Sequence, residues 1–413
     1  MILYELKKIL VKQSNQIALL LLAFLVAITC RSAIRSVEWI DSQGNLEIGQ
    51  KAATQLRTVQ KEWSGTLDID LLNKALVEIE RLDSTPEYLS TDYTQNRIAQ
   101  GWRQGIQEIR WLLCSSFAED FQTFDERDAC QVSPDSLEHF YENRVNLLHN
   151  WLYDSNEDGY YLFSTSEKQF LIDQYTSLKA PFEMDYAQGW IQATEHITDI
   201  LIYGVIIVAF LLAGIFSDEF RWKADAVYYT SIYGRSRGTG AKIGAGFLLT
   251  TVVYWLCTGC FSLIVLGSLG FDGGLCMVQS NVRYWKSMYN LTFLQKYLLI
   301  LIMGYLAFLF FGFLVMWISA KCKSPVFAVM IPPVAIMLPK LLLNLNISTS
   351  LTKVLALLPD RLLDGNSAMR SMILFSFGSK VMTPVPILIA IYLLLTIVWI
   401  VLCYSEYRKK QIC

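Results

Sequence analysis

The sequence is short of charged residues. Only 17% of its 413 residues are charged, against about 25% in soluble domains. Its 35 Lys and Arg residues nearly balance its 37 Asp and Glu residues, so no overall basic field attracts nucleic acid. With 10 Pro and 23 Gly, collagen-like and low-complexity classes are excluded. A hydrophobic content of 53% and a mean hydropathy of +0.35 indicate a membrane protein instead.

Catalytic motifs are weak as well. The sequence has only three histidines, and its one G-x-S-x-G match, GRSRG at 234–238, does not follow a strand-like apolar run, so nothing points to a hydrolytic site. The run GRSRGTGAK (234–242) looks like a phosphate loop, but Ile243 stands where Ser or Thr would hold magnesium. We therefore expect a chain that is not an enzyme, with no ATPase and no cofactor of its own.

Six uncharged runs are long enough to cross about 30 Å of hydrocarbon. The sequence predicts an all-α polytopic membrane protein of six transmembrane helices, with a mainly helical extracytoplasmic domain between helices 1 and 2. Because the fifth run contains prolines, which remove backbone donors, we expect other helices to enclose it. The first run lacks an A-x-A cleavage site and is interpreted as an anchor rather than a signal peptide. The predicted spans are 13–35, 198–217, 243–268, 297–320, 324–344 and 381–404.

The distribution of Lys and Arg predicts the orientation. With a cytoplasmic N-terminus, the inner segments carry 13 basic and 5 acidic residues, while the rest of the chain has excess acid. Cytoplasmic loops carry the excess of Lys and Arg in membrane proteins. We therefore expect a multi-pass protein of the plasma membrane with both termini in the cytoplasm. The inner segments counted are 1–13, 218–242, 321–323 and 405–413.

A polar insert separates the first two spans. Residues 31–199 hold 14 Lys and Arg against 29 Asp and Glu, and 36–197 are long enough for a folded domain. Apolar residues recur at helical spacing in 71–82, 98–113 and 136–152. We expect 36–65 to be irregular or partly stranded.

Two cysteines lie inside this insert. An exported face is oxidising enough for Cys114 and Cys130 to form a disulfide. The alternative, two separate thiols, stays open from the sequence.

Two patterns in the insert resemble metal sites. Asp154, Asn156 and Asp158 match the first half of a calcium loop, but Thr165 stands where its final Glu should be. The alternative is an acidic Asp-Gly turn. His139, Glu142, Asn146 and His149 share one helix face without the H-E-x-x-H spacing, as a solvated face also would. No confident metal site is predicted.

The stretch 218–242 separates spans two and three. It opens with two acids, continues through a segment ending YYTSIYG, and closes with Arg235, Arg237 and Lys242. This pattern resembles the intracellular loop of type-2 permease subunits of ABC transporters, although Tyr233 stands where that family often has proline. The coupling residues implied by the resemblance are Glu219, Arg221, Tyr228, Thr230, Ser231, Tyr233, Gly234, Arg235 and Lys242.

Other segments are similar to the same family. Residues 1–12 form an amphipathic segment with three lysines, suited to the membrane interface, and look like the family's elbow helix. The outer loop 269–296, the outer helical segment 345–380 and the tail 405–413 complete the predicted layout. A large domain after the first helix is one of the family's layouts.

The resemblance implies partners. A permease of this family works with two copies of a separate ATP-binding subunit, which hold the ATP and magnesium. A second permease subunit, identical or homologous, completes the pathway within the lipid bilayer. The loop 218–242 would dock on the ATPase and transmit its closure; the alternative is a basic segment that binds anionic lipid.

The cargo and the class of protein remain open. Few ionisable residues lie inside the spans, which favours an amphipathic cargo over a bare ion. A peptide such as a bacteriocin or lantibiotic, a drug or a lipid fits this expectation, with export as the predicted direction. The alternative is a receptor or sensor whose outer domain binds a ligand, but 218–242 is too short for an output domain.

Overall fold

The computed structural model describes residues 1–124, 132–221, 234–322, 324–343, 349–378 and 380–409. It confirms the predicted class: an all-α polytopic membrane protein with almost no sheet. Within these ranges, six helical segments are long and apolar enough to span a membrane: Gln13–Arg35, Gln188–Arg221, Ser236–Leu269, Phe293–Lys321, Pro325–Leu342 and Pro384–Arg408. We call them spans one to six.

Spans two and four form the centre of the bundle. Their most apolar windows are 72% and 67% buried, whereas those of spans five and six are each 22% buried. Gly204 of span two lies against the ring of Phe308 in span four, so closely that a Cβ at position 204 would clash with it. This close approach explains why glycine suits a position in the middle of a buried helix.

The expected enclosure of span five is wrong for the single chain. The helix Pro325–Leu343 contains Pro332, Pro333 and Pro339, yet much of its surface faces outward, as at Val326 and Phe327. It lies on the outside of the bundle because spans two and four already fill the centre.

Short helices make up most of the remaining chain. Ile2–Leu10 precedes span one, and Thr349–Leu355, Asp360–Leu363 and Gly365–Arg370 precede span six. The insert contains a 3-10 turn at Pro134–His139 and the helices Gln50–Lys61, Ile69–Asp83, Pro86–Leu89, Tyr93–Arg103, Gln107–Ser116, Phe140–Tyr153, Asp158–Leu162 and Thr165–Thr176.

Strands occur only as short antiparallel pairs within the described residues. Glu38–Ile40 pairs with Leu46–Ile48, in the part of the insert expected to be irregular or partly stranded. Gly65–Thr66 pairs with Glu183–Met184 and so joins the two ends of the insert. The third pair, Phe375–Phe377 with Lys380–Met382, lies just before span six.

Local sequence signals explain several helix starts. The Asp68 side chain accepts from the Leu71 N–H and caps the helix Ile69–Asp83. Ser164 forms a capping box with Glu167, and Thr292 forms one with Gln295 at the start of span four. These caps satisfy N–H groups that the first helical turn leaves without partners.

The insert shares its core with the loop between spans three and four. Trp285 of that loop is buried among Leu112, Leu137 and Phe140 of the insert. The buried guanidinium of Arg144 donates to the carbonyl oxygens of Trp285 at 2.8 Å and of Ser287 at 2.9 Å. The insert is therefore packed onto the membrane part rather than tethered to it by two chain connections alone.

Glu108 fixes a second point of this contact. Its carboxylate accepts from Asn281 Nδ2 at 2.9 Å and from the Val282 N–H at 3.2 Å. Burial raises the pKa of Glu108 to about 7, while the Val282 N–H and Arg283 oppose the shift. Asp272 of the same loop pairs with Arg57 of the insert at 2.6 Å.

The raised pKa makes the stability depend on pH. The native carboxyl binds its proton more tightly than the unfolded one, whose pKa is 4.5, so its contribution is greatest below pH 4.5 and is lost as the pH rises through 7. Glu108→Gln should therefore be more stable than the wild type at pH 8, by at most about 3 kcal/mol, with little difference at pH 5. Thermal unfolding of the purified protein in detergent measures this, with Glu119→Gln at an exposed position of the insert as control. If the unfolding temperatures of the wild type and Glu108→Gln changed with pH in the same way, the raised pKa of Glu108 would be contradicted.

Candidate functional site

Span two breaks near the end that carries the predicted coupling residues. The helix Gln188–Leu212 ends there, and Gly214–Arg221 continues after it. Ser319 Oγ of span four accepts from the N–H groups of Phe216 at 3.2 Å and Ser217 at 3.1 Å, and donates to the Ala213 carbonyl at 2.6 Å. A break inside a membrane bundle persists where a neighbouring helix satisfies the freed backbone groups in this way.

The break positions two acids. Asp218 turns back so closely over Gly214 that a Cβ at position 214 would overlap its carboxylate. Asp218 and Glu219 are each 5% exposed. Buried carboxylates require ion pairs or hydrogen bonds, and the surrounding helices supply them.

Lys242 is the centre of the resulting cluster. Its side chain is fully buried. Its Nζ lies 2.7 Å from Glu219 Oε1 and 3.0 Å from Glu5 Oε2, and it donates to the Ile215 carbonyl at 3.1 Å. Lys242 thus joins the end of span two, the beginning of span three and the N-terminal helix.

The N-terminal helix supplies further charges. Lys8 Nζ lies 3.1 Å from Glu219 Oε1, and Lys12 pairs with Asp218. Asn15 Nδ2 donates to the Ile9 carbonyl at 2.9 Å and fixes the bend between this helix and span one. The amphipathic segment predicted from its three lysines is therefore held against the bundle by two of them.

Span six closes the cluster. The hydroxyl of Tyr407, itself fully buried, donates to Glu219 Oε2 at 3.0 Å. Both oxygens of the Glu219 carboxylate therefore have partners. We define the charge cluster as three lysines, three carboxylates and one tyrosine: Lys8, Lys12, Lys242, Glu5, Asp218, Glu219 and Tyr407.

The charge cluster is balanced in charge. It contains three lysines and three carboxylates, and each of these six groups has an oppositely charged partner within the cluster. Since desolvated charges must stay paired, the elements that carry them resist moving apart.

The predicted coupling residues are only partly described. The structure brings Glu219 and Lys242 together, places Arg221 at the surface and buries Gly234 at the turn Gly234–Gly238 before span three. Tyr228, Thr230, Ser231 and Tyr233, and the side chain of Arg235, lie outside the described residues.

Several members of this site were missed from the sequence. Glu5 and Lys8 stand three residues apart on one helix face, a weak signal that any amphipathic helix shares. The other missed residues are polar positions at the ends of apolar runs, where they look like interfacial anchors: Lys12, Asp218, Ser319 and Tyr407.

The calcium-loop and histidine patterns of the insert were the weaker predictions. Among the described residues, no group of three His, Cys, Asp or Glu side chains is placed to hold a metal ion. Asp154 Oδ1 accepts from the backbone and side chain of Asn156, as in a local turn. His139 pairs with Glu142 at 2.9 Å on an exposed face, and His149 stacks on Tyr153. Cys130 lies outside the described residues, so its predicted bridge to Cys114 stays a prediction.

Comparisons with known proteins do not identify a family for this chain. No family model matches the chain, and no curated protein matches it.

Removing the Lys242 ammonium should destabilise the protein. Lys242→Met leaves the half-buried Glu5 and the buried Glu219 without their shared cation, which costs roughly 3 kcal/mol. Adding Glu219→Gln to Lys242→Met should cost less than the sum of the two single changes, because Glu219 has then already lost its ion pair with Lys242. Chemical or thermal unfolding in detergent measures the cycle, with Lys7→Met, at an exposed position on the same helix as Lys8, as control. Strict additivity of the two changes would contradict the coupling.

Ser319→Ala tests whether the Ser319 hydroxyl stabilises the break in span two. The N–H groups of Phe216 and Ser217 then lose their acceptor, and each unsatisfied buried group costs about 1–3 kcal/mol. We expect a loss of about 2–4 kcal/mol in the same assay. The matched control is Thr396→Val, which removes a buried hydroxyl that donates to the Tyr392 carbonyl of its own helix; it should cost less than about 1 kcal/mol. Equal losses in both variants would show that the break does not depend on Ser319.

Proposed function

We propose that the chain is the permease subunit of an ATP-driven ABC transporter that exports an amphipathic substrate. The ion pair between Glu219 and Lys242 is the single observation that carries this proposal. It joins two residues that the family resemblance had selected independently, at either end of the loop implied to meet the ATPase.

The position of this ion pair supports transmission of movement. The segment 222–233 connects Arg221, at the end of span two, to Gly234, just before span three. Because Glu219 and Lys242 hold its two ends, a displacement of the segment acts on spans two and three together. Lys8 and Tyr407 extend the same link to the N-terminal helix and span six.

The energy source in this proposal is a separate subunit. The sequence has no phosphate loop that fulfils the requirements for binding nucleotide and magnesium. Two copies of an ATP-binding subunit would bind beneath two permease subunits, identical or homologous. ATP and magnesium belong to those partners.

The distribution of charge supports an amphipathic cargo. The ion pairs of the charge cluster lie at the ends of the spans, and spans two and four meet through apolar contacts such as Gly204 with Phe308. A bare ion would be expected to need ionisable groups along its path. The acidic insert favours a cationic peptide such as a bacteriocin or lantibiotic, with a drug or lipid as the other cargo classes.

Affinity purification from the membranes of the native host tests the class. We expect the tagged full chain to retain a stoichiometric ATP-binding subunit. Thr230→Arg places a charge in the proposed contact and should reduce the recovered subunit at least about tenfold. Thr91→Arg, at an exposed position of the insert, is the matched control and should leave recovery unchanged.

Other outcomes would overturn the proposal. Recovery of a kinase instead of an ATP-binding subunit, or of no partner, would favour a receptor or sensor. If the ATPase subunit is retained but no cationic peptide, drug or lipid stimulates its hydrolysis in proteoliposomes, the export of an amphipathic cargo is wrong.

A further inference from the structure

A groove of about 560 Å³ opens between the charge cluster and span five. Residues 12–15 line it where span one begins, and the end of span two contributes Phe210, Leu211, Ala213, Gly214, Asp218 and Arg221. Pro325, Val326, Val329 and Met330 of span five form its other wall. The volume lies within the usual range for small-molecule sites.

The lining of the groove is partly polar and partly apolar. The polar residues are Lys12, Gln13, Ser14, Asn15, Asp218 and Arg221. The apolar part is formed by Phe210, Leu211, Val326, Val329 and Met330. Such a lining suits a molecule with a polar headgroup and an apolar chain.

The groove also has a net positive charge. Lys12 is paired with Asp218, which leaves the guanidinium of Arg221 as the additional charge. Arg221 is exposed and makes no ion pair with any residue in the described ranges. A guanidinium matches the geometry of a phosphate and binds it through two parallel hydrogen bonds.

The apolar wall faces the side of the bundle. Val326 is 61% exposed and Met330 is 58% exposed, on a span that lies outside the bundle centre. In a membrane, side chains at such positions contact acyl chains. An occupant can therefore enter from the bilayer without passing through the protein.

We propose that this groove binds one anionic glycerophospholipid from the leaflet at this end of the bundle. Arg221 and Lys12 bind its phosphate, and an acyl chain lies against Phe210, Val326 and Met330. The lipid fills the space between spans two and five beside Asp218. This site requires neither an ATPase partner nor a transported cargo, so it does not depend on the proposed function.

Native mass spectrometry of the purified full chain tests the site. The protein is titrated in detergent with phosphatidylglycerol and, separately, with phosphatidylcholine of the same acyl chains. We expect one phosphatidylglycerol to bind in preference to phosphatidylcholine. Arg221→Gln should weaken that binding about fivefold, the effect of one cation at an anionic surface. Lys7→Gln removes an exposed charge outside the groove and should leave it unchanged.

Filling the apolar part of the groove with a larger side chain provides a second test. Val326→Trp should abolish retention of the single phosphatidylglycerol, because the indole occupies the space of the acyl chain. Val398→Trp is the matched control on the exposed face of span six, where position 398 is 46% exposed. Both variants should elute as monodisperse proteins with unchanged thermal unfolding.

Three results would overturn the lipid site. Equal weakening by Arg221→Gln and Lys7→Gln would indicate a general surface charge effect. Equal binding of phosphatidylcholine would remove the role of the anionic headgroup. Displacement of phosphatidylglycerol by inorganic phosphate at millimolar concentration would indicate a site for a free anion.

Discussion

The buried ammonium of Lys242 imposes the main constraint on this structure. A charge that has lost its water is tolerated in a protein interior only when opposite charges and hydrogen-bond acceptors replace that water. Glu219 and Glu5 provide the charges, and the Ile215 carbonyl provides a further acceptor. These groups come from span two and the N-terminal helix, and Lys242 comes from span three. Because Lys242 needs all of these contacts, the three segments are fixed relative to one another.

This arrangement needs an irregular helix. If span two continued without a break at Ala213, its acids would point in other directions around the helix axis. Gly214 leaves room for the Asp218 carboxylate, and Ser319 bonds the backbone groups that the break releases. A small residue on one span and a hydroxyl on another thus act together to place two carboxylates beside three lysines.

The insert is attached to the opposite end of the same spans. Span one runs from the charge cluster to the insert, and span two returns from the insert to the cluster. Trp285, Arg144 and Glu108 pack the insert against the loop that connects spans three and four. Spans one and two therefore connect the packed insert to the charge cluster around Lys242.

The sequence alone determined the six spans, because twenty or so apolar residues in a row have few other stable arrangements. Periodicity in the sequence also predicted the helices Ile69–Asp83 and Phe140–Tyr153, but it did not identify Gln50–Lys61 or Thr165–Thr176. The choice of Glu219 and Lys242 came from a resemblance. Only the tertiary structure decided that Glu5, Lys8 and Tyr407 share one site with them, since these residues are separated from Glu219 by up to 214 positions of sequence and no local pattern links them. The exposed position of span five was likewise decided by packing, because prolines and hydropathy predict a kinked apolar helix but not which neighbours cover it. Hydrophobicity selects the segments that enter the membrane, whereas the pairing of buried charges selects which ends of those segments meet.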